Sequence, residues 1–227
     1  MKKPGPRPYV VMVSEVTVDG KLTLRRGVSS KIIMSRMDEE AERYLHRERA
    51  ASDAIMVGCN TIKIDDSILT VRSVEGENPI RVIPCSRGDL PLNSNVLRRD
   101  APTIIAVSSL APDENIERIR GLGAEVWVCG SDRVDLVLLL SMLYEKGVRR
   151  LMLEGGPTLA WEMIKNQLID EIKLIHMPFV VGGRDTPSLI GGEGVGRIDN
   201  VIDVELERYF LCGKHLITEY RLKYPKI

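Results

Sequence analysis

The chain has 227 residues, 44% of them hydrophobic and 4% aromatic, so a single α/β domain spanning 1–227 with an aliphatic core is the expectation. Lys and Arg number 32 and Asp and Glu 32, a balance that leaves no uniform field to draw nucleic acid or a charged membrane surface. No run approaches the ~20 apolar residues of a membrane span, and no apolar signal core follows the basic opening Met1–Pro8, so a cytoplasmic protein is expected.

Tyr9 to Val13 is an apolar run of strand length, and Asp19-Gly20 marks a turn beyond it. Asp38 caps a helix to Ala50, where Ala41, Tyr44 and Leu45 keep helical spacing. Ala54 to Val57 predicts a short buried strand ending at Gly58, followed by a loop or short helix through Asn60 to Asp66. Pro79–Ile83 and Thr103–Val107 are two further strands, separated by surface loop. Strand Val126–Cys129, a helix from about Arg133 to Glu145 closed by Gly147, and strand Arg150–Leu153 read as one βαβ unit, hence parallel strands. The apolar residues of that helix exceed one stripe, which predicts packing on two sides. A helix over Thr158–Asn166, a strand over Glu171–Met177 and the Gly-rich loop Gly182–Gly196 follow. Val201–Leu211 and His215–Leu222 form a long hairpin about Cys212-Gly213-Lys214.

The cysteines Cys59, Cys85, Cys129 and Cys212 form no Cys-x-x-Cys pair, which argues against a zinc site and a disulfide framework; they read as buried or incidental thiols. His46, His176 and His215 have no metal-ligand spacing, so no metal is expected.

Gly155-Gly156-Pro157-Thr158 lies between a strand end and a helix start. Free N–H groups and the helix macrodipole there suit the pyrophosphate of a dinucleotide, though a Gly-Gly pair serves equally a chain that must bend tightly. The motif is neither the Gly-x-Gly-x-x-Gly of a Rossmann domain nor a P-loop. Gly58, Thr61, Asp65 and Asp66 follow another strand end, the place where open α/β sheets hold ligands; solvated loop charges are the plainer account of Asp65-Asp66. Asp19 and Glu154 are candidate acids or bases, and His46 with Arg49 could receive a substrate phosphate from one helix face.

In order and spacing, Thr17-Val18-Asp19-Gly20-Lys21, His46 with Arg49 and Asp53, Val57-Gly58 with Thr61 and Asp65-Asp66, Asn78-Pro79-Ile80-Arg81, and Leu153 to Leu159 resemble the reductase family of riboflavin biosynthesis. That family includes stand-alone 2,5-diamino-6-ribosylamino-pyrimidinone 5′-phosphate reductases and the reductase half of bifunctional deaminase-reductases. The resemblance implies a dihydrofolate-reductase-like fold, with a mostly parallel sheet flanked by helices and a C-terminal antiparallel hairpin. It further implies a homodimer, NADPH, and hydride delivery to C1′ of an opened ribose imine. Thr61 and Asp65 would touch the cofactor, the Gly155, Gly156, Pro157 and Thr158 turn its pyrophosphate, and Ser86 with Arg87 its adenosine 2′-phosphate. Asp19 and Glu154 would serve catalysis, with Thr17, His46 and Arg49 on the substrate side. No zinc deaminase motif is present, so the reductase step alone is implied. The chain departs from the family pattern at Val13, Ser14 and Glu15 in the first strand, at Cys85 before Ser86, and at Ser67 after Asp65-Asp66. Those departures leave two alternatives open, a paralogue reducing a pterin-like heterocycle and an NADP-binding protein that has lost catalysis.

Overall fold

The computed structural model describes residues 5–224; Met1–Pro4, half of the basic opening, lie outside the described residues. In chain order the elements are β1 (Tyr9–Thr17), α1 (Lys31–Met34), α2 (Glu39–Ala50), β2 (Ala54–Val57), α3 (Cys59–Asp65), β3 (Ile80–Pro84), β4 (Thr103–Val107), α4 (Asp113–Gly121) and β5 (Glu125–Val128). They continue with α5 (Leu136–Glu145), β6 (Arg150–Gly155), α6 (Pro157–Lys165), β7 (Glu171–Met177), β8 (Asp203–Cys212) and β9 (His215–Lys223). All nine strands share one sheet in the order β5-β4-β3-β2-β6-β1-β7-β9-β8. Strands β1 to β7 pair in parallel, and β9 and β8 add antiparallel at the β7 edge, so the expected mostly parallel sheet with a C-terminal hairpin is present.

The central strands are apolar on both faces because both faces are covered. Successive residues of a strand point to opposite sides. Val11, Val13, Ile55, Val57 and Met152 therefore join Ala41, Tyr44 and Leu45 of α2, Ile62 of α3 and Ile119 of α4. Val10, Met12, Ala54, Met56 and Leu153 join Leu139, Leu140 and Leu143 of α5 and Ala160, Met163 and Ile164 of α6 on the other side. Two acids fasten the amino-terminal edge of the sheet. Asp53 accepts from the N–H groups of Arg149 and Arg150 at 2.7 and 2.8 Å, tying β2 to β6. Asp170 accepts from Val10 N–H at 2.7 Å and from both terminal nitrogens of Arg7, tying β7 to β1.

Several expectations are corrected. The βαβ unit predicted over β5, α5 and β6 has parallel strands that are not neighbours: β5 is the sheet edge and β6 lies between β2 and β1. Helix α5 begins at Leu136, because Asp135 accepts from Val137 and Leu138 N–H at 2.9 and 3.0 Å and so sets its start. Its residues Leu139, Leu140 and Leu143 are buried on the sheet, while Val137 and Leu138 face solvent in the single chain. Helix α4 has no counterpart in the predicted elements; its one buried residue, Ile119, makes no stripe. Cys59 and Cys85 are not incidental thiols but a disulfide with Cα atoms 4.9 Å apart, joining the first turn of α3 to the end of β3; Cys129 and Cys212 are free and buried. With Asp89 those two sulfurs make the one group of three potential metal ligands among the described residues, but the sulfurs are bonded to each other. Among the described residues no helix is long and apolar enough to cross a membrane.

Candidate active site

A cleft of about 790 Å³ opens where β1, β2 and β6 end, at the carboxyl edge of the sheet. Its floor carries Ser14 and Glu15 of β1, Thr61 and Asp65 of α3, and Glu154 to Leu159 at the passage from β6 to α6. Two loops form the opposite wall, one from Leu22 to Met34 and one from Arg184 to Gly192. Its volume is in the range of small-molecule sites, ~300–1,000 Å³.

Gly155 and Gly156 have φ of 116° and 79°, in the left-handed region, and this bend turns β6 into α6. A Cβ on Gly156 would lie 2.9 Å from Thr61 Oγ1, so α3 and the α6 amino terminus approach as closely as they do only because no side chain intervenes. The ladder of α6 starts with Ala160 N–H donating to Gly156 C=O at 2.9 Å, leaving the N–H groups of Thr158 and Leu159 without helical acceptors. Those donors and the positive end of the helix suit an anion.

Arg49 on α2 donates from Nε and Nη2 to the two oxygens of Glu154 at 2.5 and 2.7 Å, and from Nη1 to Thr70 C=O at 3.0 Å. Arg49 is buried behind the wall and Glu154 reaches it from the cleft side. Asp65 accepts from Ser30 N–H and Oγ–H at 3.1 and 2.7 Å, which fastens the loop before α1 to α3. Asp66 accepts from Asn95 N–H at 2.8 Å instead, away from the cleft.

The structure divides the sequence-predicted residues. Thr61, Asp65, Glu154, Gly155, Gly156, Pro157 and Thr158 line the cleft together. Thr17 and Asp19 stand beyond its wall. Thr17 Oγ–H donates to Asp19 at 2.7 Å, and Asp19 also accepts from the N–H groups of Val181 and Gly182 at 3.1 and 2.6 Å. These donors, the Thr17 hydroxyl first, hold the Asp19 carboxyl down at about 2. Its visible work is to clamp the end of β1 to the chain leaving β7. His46 is buried with Arg49 rather than facing a ligand: its Nδ1 accepts from Arg72 N–H at 3.0 Å. Burial, then the nearby Arg49 and Arg72 charges, pushes this imidazole down to about 4, so it is neutral at pH 7. Ser86 and Arg87 follow β3, the next strand beyond β2 on the same edge; Ser86 Oγ accepts from Val134 N–H at 3.1 Å, and exposed Arg87 donates to Leu110 C=O at 2.7 Å.

Glu15, noted in the sequence only as a departure from the family pattern and given no role there, lines the cleft floor. It interrupts the apolar run of β1, and a carboxyl inside such a strand was itself the signal. Burial first, and the Glu154 carboxylate second, push its carboxyl up to about 7.

A family model described as the RibD C-terminal domain matches residues 8–217. The chain is 52% identical over 217 residues to a 2,5-diamino-6-ribosylamino-4(3H)-pyrimidinone 5′-phosphate reductase of Aquifex aeolicus, covering 95% of this chain and 97% of that one. It is 44% identical to a protein of the same description from Methanothermobacter thermautotrophicus, covering 96% and 99%. The solved structure of Acinetobacter baumannii RibD superposes with a TM-score of 0.79 at 22% identity, a likeness of fold; it covers 96% of this chain and 58% of that longer one.

Proposed function

The chain belongs to the family of the RibD C-terminal domain, and from that premise we propose that it reduces 2,5-diamino-6-ribosylamino-4(3H)-pyrimidinone 5′-phosphate to the ribitylamino compound, with NADPH as donor. The end-to-end match to stand-alone reductases carries this reading, since both chains are covered almost completely. The pterin-reducing and inactive alternatives have no support among the relatives.

The residues present fit a dinucleotide. Gly156 leaves room where a Cβ would press on Thr61, and two free N–H groups at the start of α6 offer an anion its donors. Thr61, Asp65 and the Gly155–Thr158 turn would hold the cofactor, with Ser86 and Arg87 on the same edge for an adenosine 2′-phosphate. When bound, the reduced nicotinamide supplies a hydride to C1′ of the ring-opened sugar. The protein's own part is orientation and charge. Glu154, fixed by two bonds from Arg49, presents a carboxylate to the ribosyl hydroxyls. Arg26 and Arg184, which line the opposite wall, would receive the substrate phosphate. Asp19 acts by clamping the end of β1. The enzyme works in the cytoplasm, as a homodimer.

The test is oxidation of NADPH by the purified protein with the pyrimidinone phosphate, with NADH and a dihydropterin as controls. Turnover with the pyrimidinone and preference for NADPH are expected. Turnover of the dihydropterin alone, or none at all, overturns the reading.

A further inference from the structure

We propose that Glu15 is the acid that gives the substrate nitrogen its proton as C1′ is reduced. This inference rests on the reductase reading above and gives a role to Glu15, one of the first-strand positions at which the chain departs from the family pattern. Because β1 and β6 run in step from Val11 beside Met152 to Met12 beside Leu153, Glu15 projects from the same sheet face as Glu154 at the cleft floor.

The other carboxyls of the floor already accept from protein donors that hold them in place. Glu154 takes both forks of Arg49, and Asp65 takes Ser30 N–H and Oγ–H. Among the described residues no other side chain hydrogen-bonds or ion-pairs with the Glu15 carboxyl, so it is available to a ligand. The charged groups facing it are Glu154 from β6, Arg49 from α2 and Asp65 from α3. Arg26, Arg184 and Asp185 look across from the exposed opposite wall, and Lys173 on β7, engaged with Glu48, lies beside Val13, two residues back along β1. Burial outweighs Arg49 here, and a neighbouring carboxylate acts in the same direction, so Glu15 keeps a proton near neutral pH while paired Glu154 stays committed to its cation. His46 on α2 is neutral and turned to the backbone, and His176, beside Val16 on β7, is engaged with the Thr218 hydroxyl at 2.8 Å.

The step balances. C1′ accepts the hydride of the reduced nicotinamide, the π pair of the C1′=N bond moves to nitrogen, and that nitrogen takes the proton of the Glu15 carboxyl, giving the amine. Glu15 is left as carboxylate and is reprotonated from water through the open cleft.

The experiment compares wild type, Glu15→Gln and Glu15→Ala in steady-state kinetics over pH 5.5–9, in NADPH binding by fluorescence, and in infrared spectra of the protonated-carboxyl region without ligand. For wild type, kcat is expected to fall as pH rises through about 7, and a carboxyl band is expected to disappear over the same range. Glu15→Gln is expected to lose about a hundredfold in kcat, the pH limb and the band, while binding NADPH as wild type does. Glu15→Ala is expected to regain activity with added acetic acid, which keeps the test intact if the Gln variant fails to fold. Glu15→Gln retaining kcat or the pH limb, or a wild type without the band, overturns the proposal and leaves the reductase reading standing. A wild type that does not reduce the pyrimidinone overturns both.

Discussion

Replacing Arg49 with methionine removes the cation but keeps most of the side-chain volume. Arg49 is 4% exposed, its bonds to Glu154 measure 2.5 and 2.7 Å, and its third bond, at 3.0 Å, satisfies Thr70 C=O. Breaking a buried pair from one side costs ~3–5 kcal/mol, because the remaining charge is left uncompensated. Glu154 borders the cleft and water there solvates part of that charge, so the lower end, about 3 kcal/mol, is expected, with about 1 kcal/mol of it from the Thr70 carbonyl. For a chain of this size that lowers Tm by roughly 6–12 °C. Adding Glu154→Gln to Arg49→Met removes the stranded charge and is expected to recover about 1–2 kcal/mol, a coupling that urea unfolding of the four proteins in a double-mutant cycle measures at pH 7. A cost for Arg49→Met below about 1 kcal/mol, or a second substitution whose effect simply adds, refutes the reasoning.

Glu15 gives a pH signature in stability that is separate from its chemistry. Its carboxyl stands at about 7 in the fold against 4.5 in an unfolded chain, so the folded protein binds the extra proton and stability falls as pH rises from 4.5 to about 7. Glu15→Gln removes that loss: it should be more stable than wild type by about 3 kcal/mol at pH 8 and closely matched at pH 4.5, in urea titrations, and a pH-independent difference would contradict the assignment. Arg81 is fully buried, donating to the carbonyls of Val96 and Arg98 at 3.2 and 3.0 Å and pairing with Asp100. Arg81→Ala should cost about 3 kcal/mol, and Asp100→Ala about 2–3 kcal/mol, since it strands a guanidinium that is 0% exposed; an Asp100→Ala cost below about 1 kcal/mol would show that the buried carbonyls alone compensate Arg81. Gly156→Ala should weaken NADPH binding, whereas Gly147→Ala, also left-handed but with open space around its Cβ, should lower stability alone; equal NADPH affinity in both variants would remove the cofactor from the α6 turn.

Much of the sheet was legible because strand and helix limits depend on local chemistry. Asp38 caps α2 by accepting from Ala41 N–H at 3.0 Å, Gly147 ends the region of α5, and Gly213 turns the C-terminal hairpin, each as its residue type dictates. Strand order was not legible in the same way: the segments from Val126 to Leu153 read as a local unit, yet β2 and β3 stand with β4 between β5 and β6. Neighbours in a parallel sheet are chosen by long-range packing, which no window of sequence contains. The disulfide was hidden for the same reason, its cysteines being 26 residues apart and brought together by adjacent strand ends.

The site was legible in its motifs and not in its layers. The α6 turn with Thr61 and Asp65 lines the cleft, while His46 and Arg49, equally polar on the same helix, turn inward because α2 presents that stripe to the sheet. A helical wheel gives the two residues a common face; only the packed structure says that this face is buried. The two loops of the opposite wall, from Leu22 and from Arg184, lack periodicity, so in the sequence the second is legible only as the Gly-rich loop Gly182–Gly196 and neither is placed at the cleft.

The measurement that bears most directly on the reductase assignment is deuterium transfer from NADPH labelled at nicotinamide C4, with each C4 epimer tested in turn on the pyrimidinone phosphate. One epimer is predicted to give a ribitylamino product carrying the label at C1′, located by mass spectrometry and NMR. A product with no label at C1′ from either epimer, or label in the heterocyclic ring, would contradict the account.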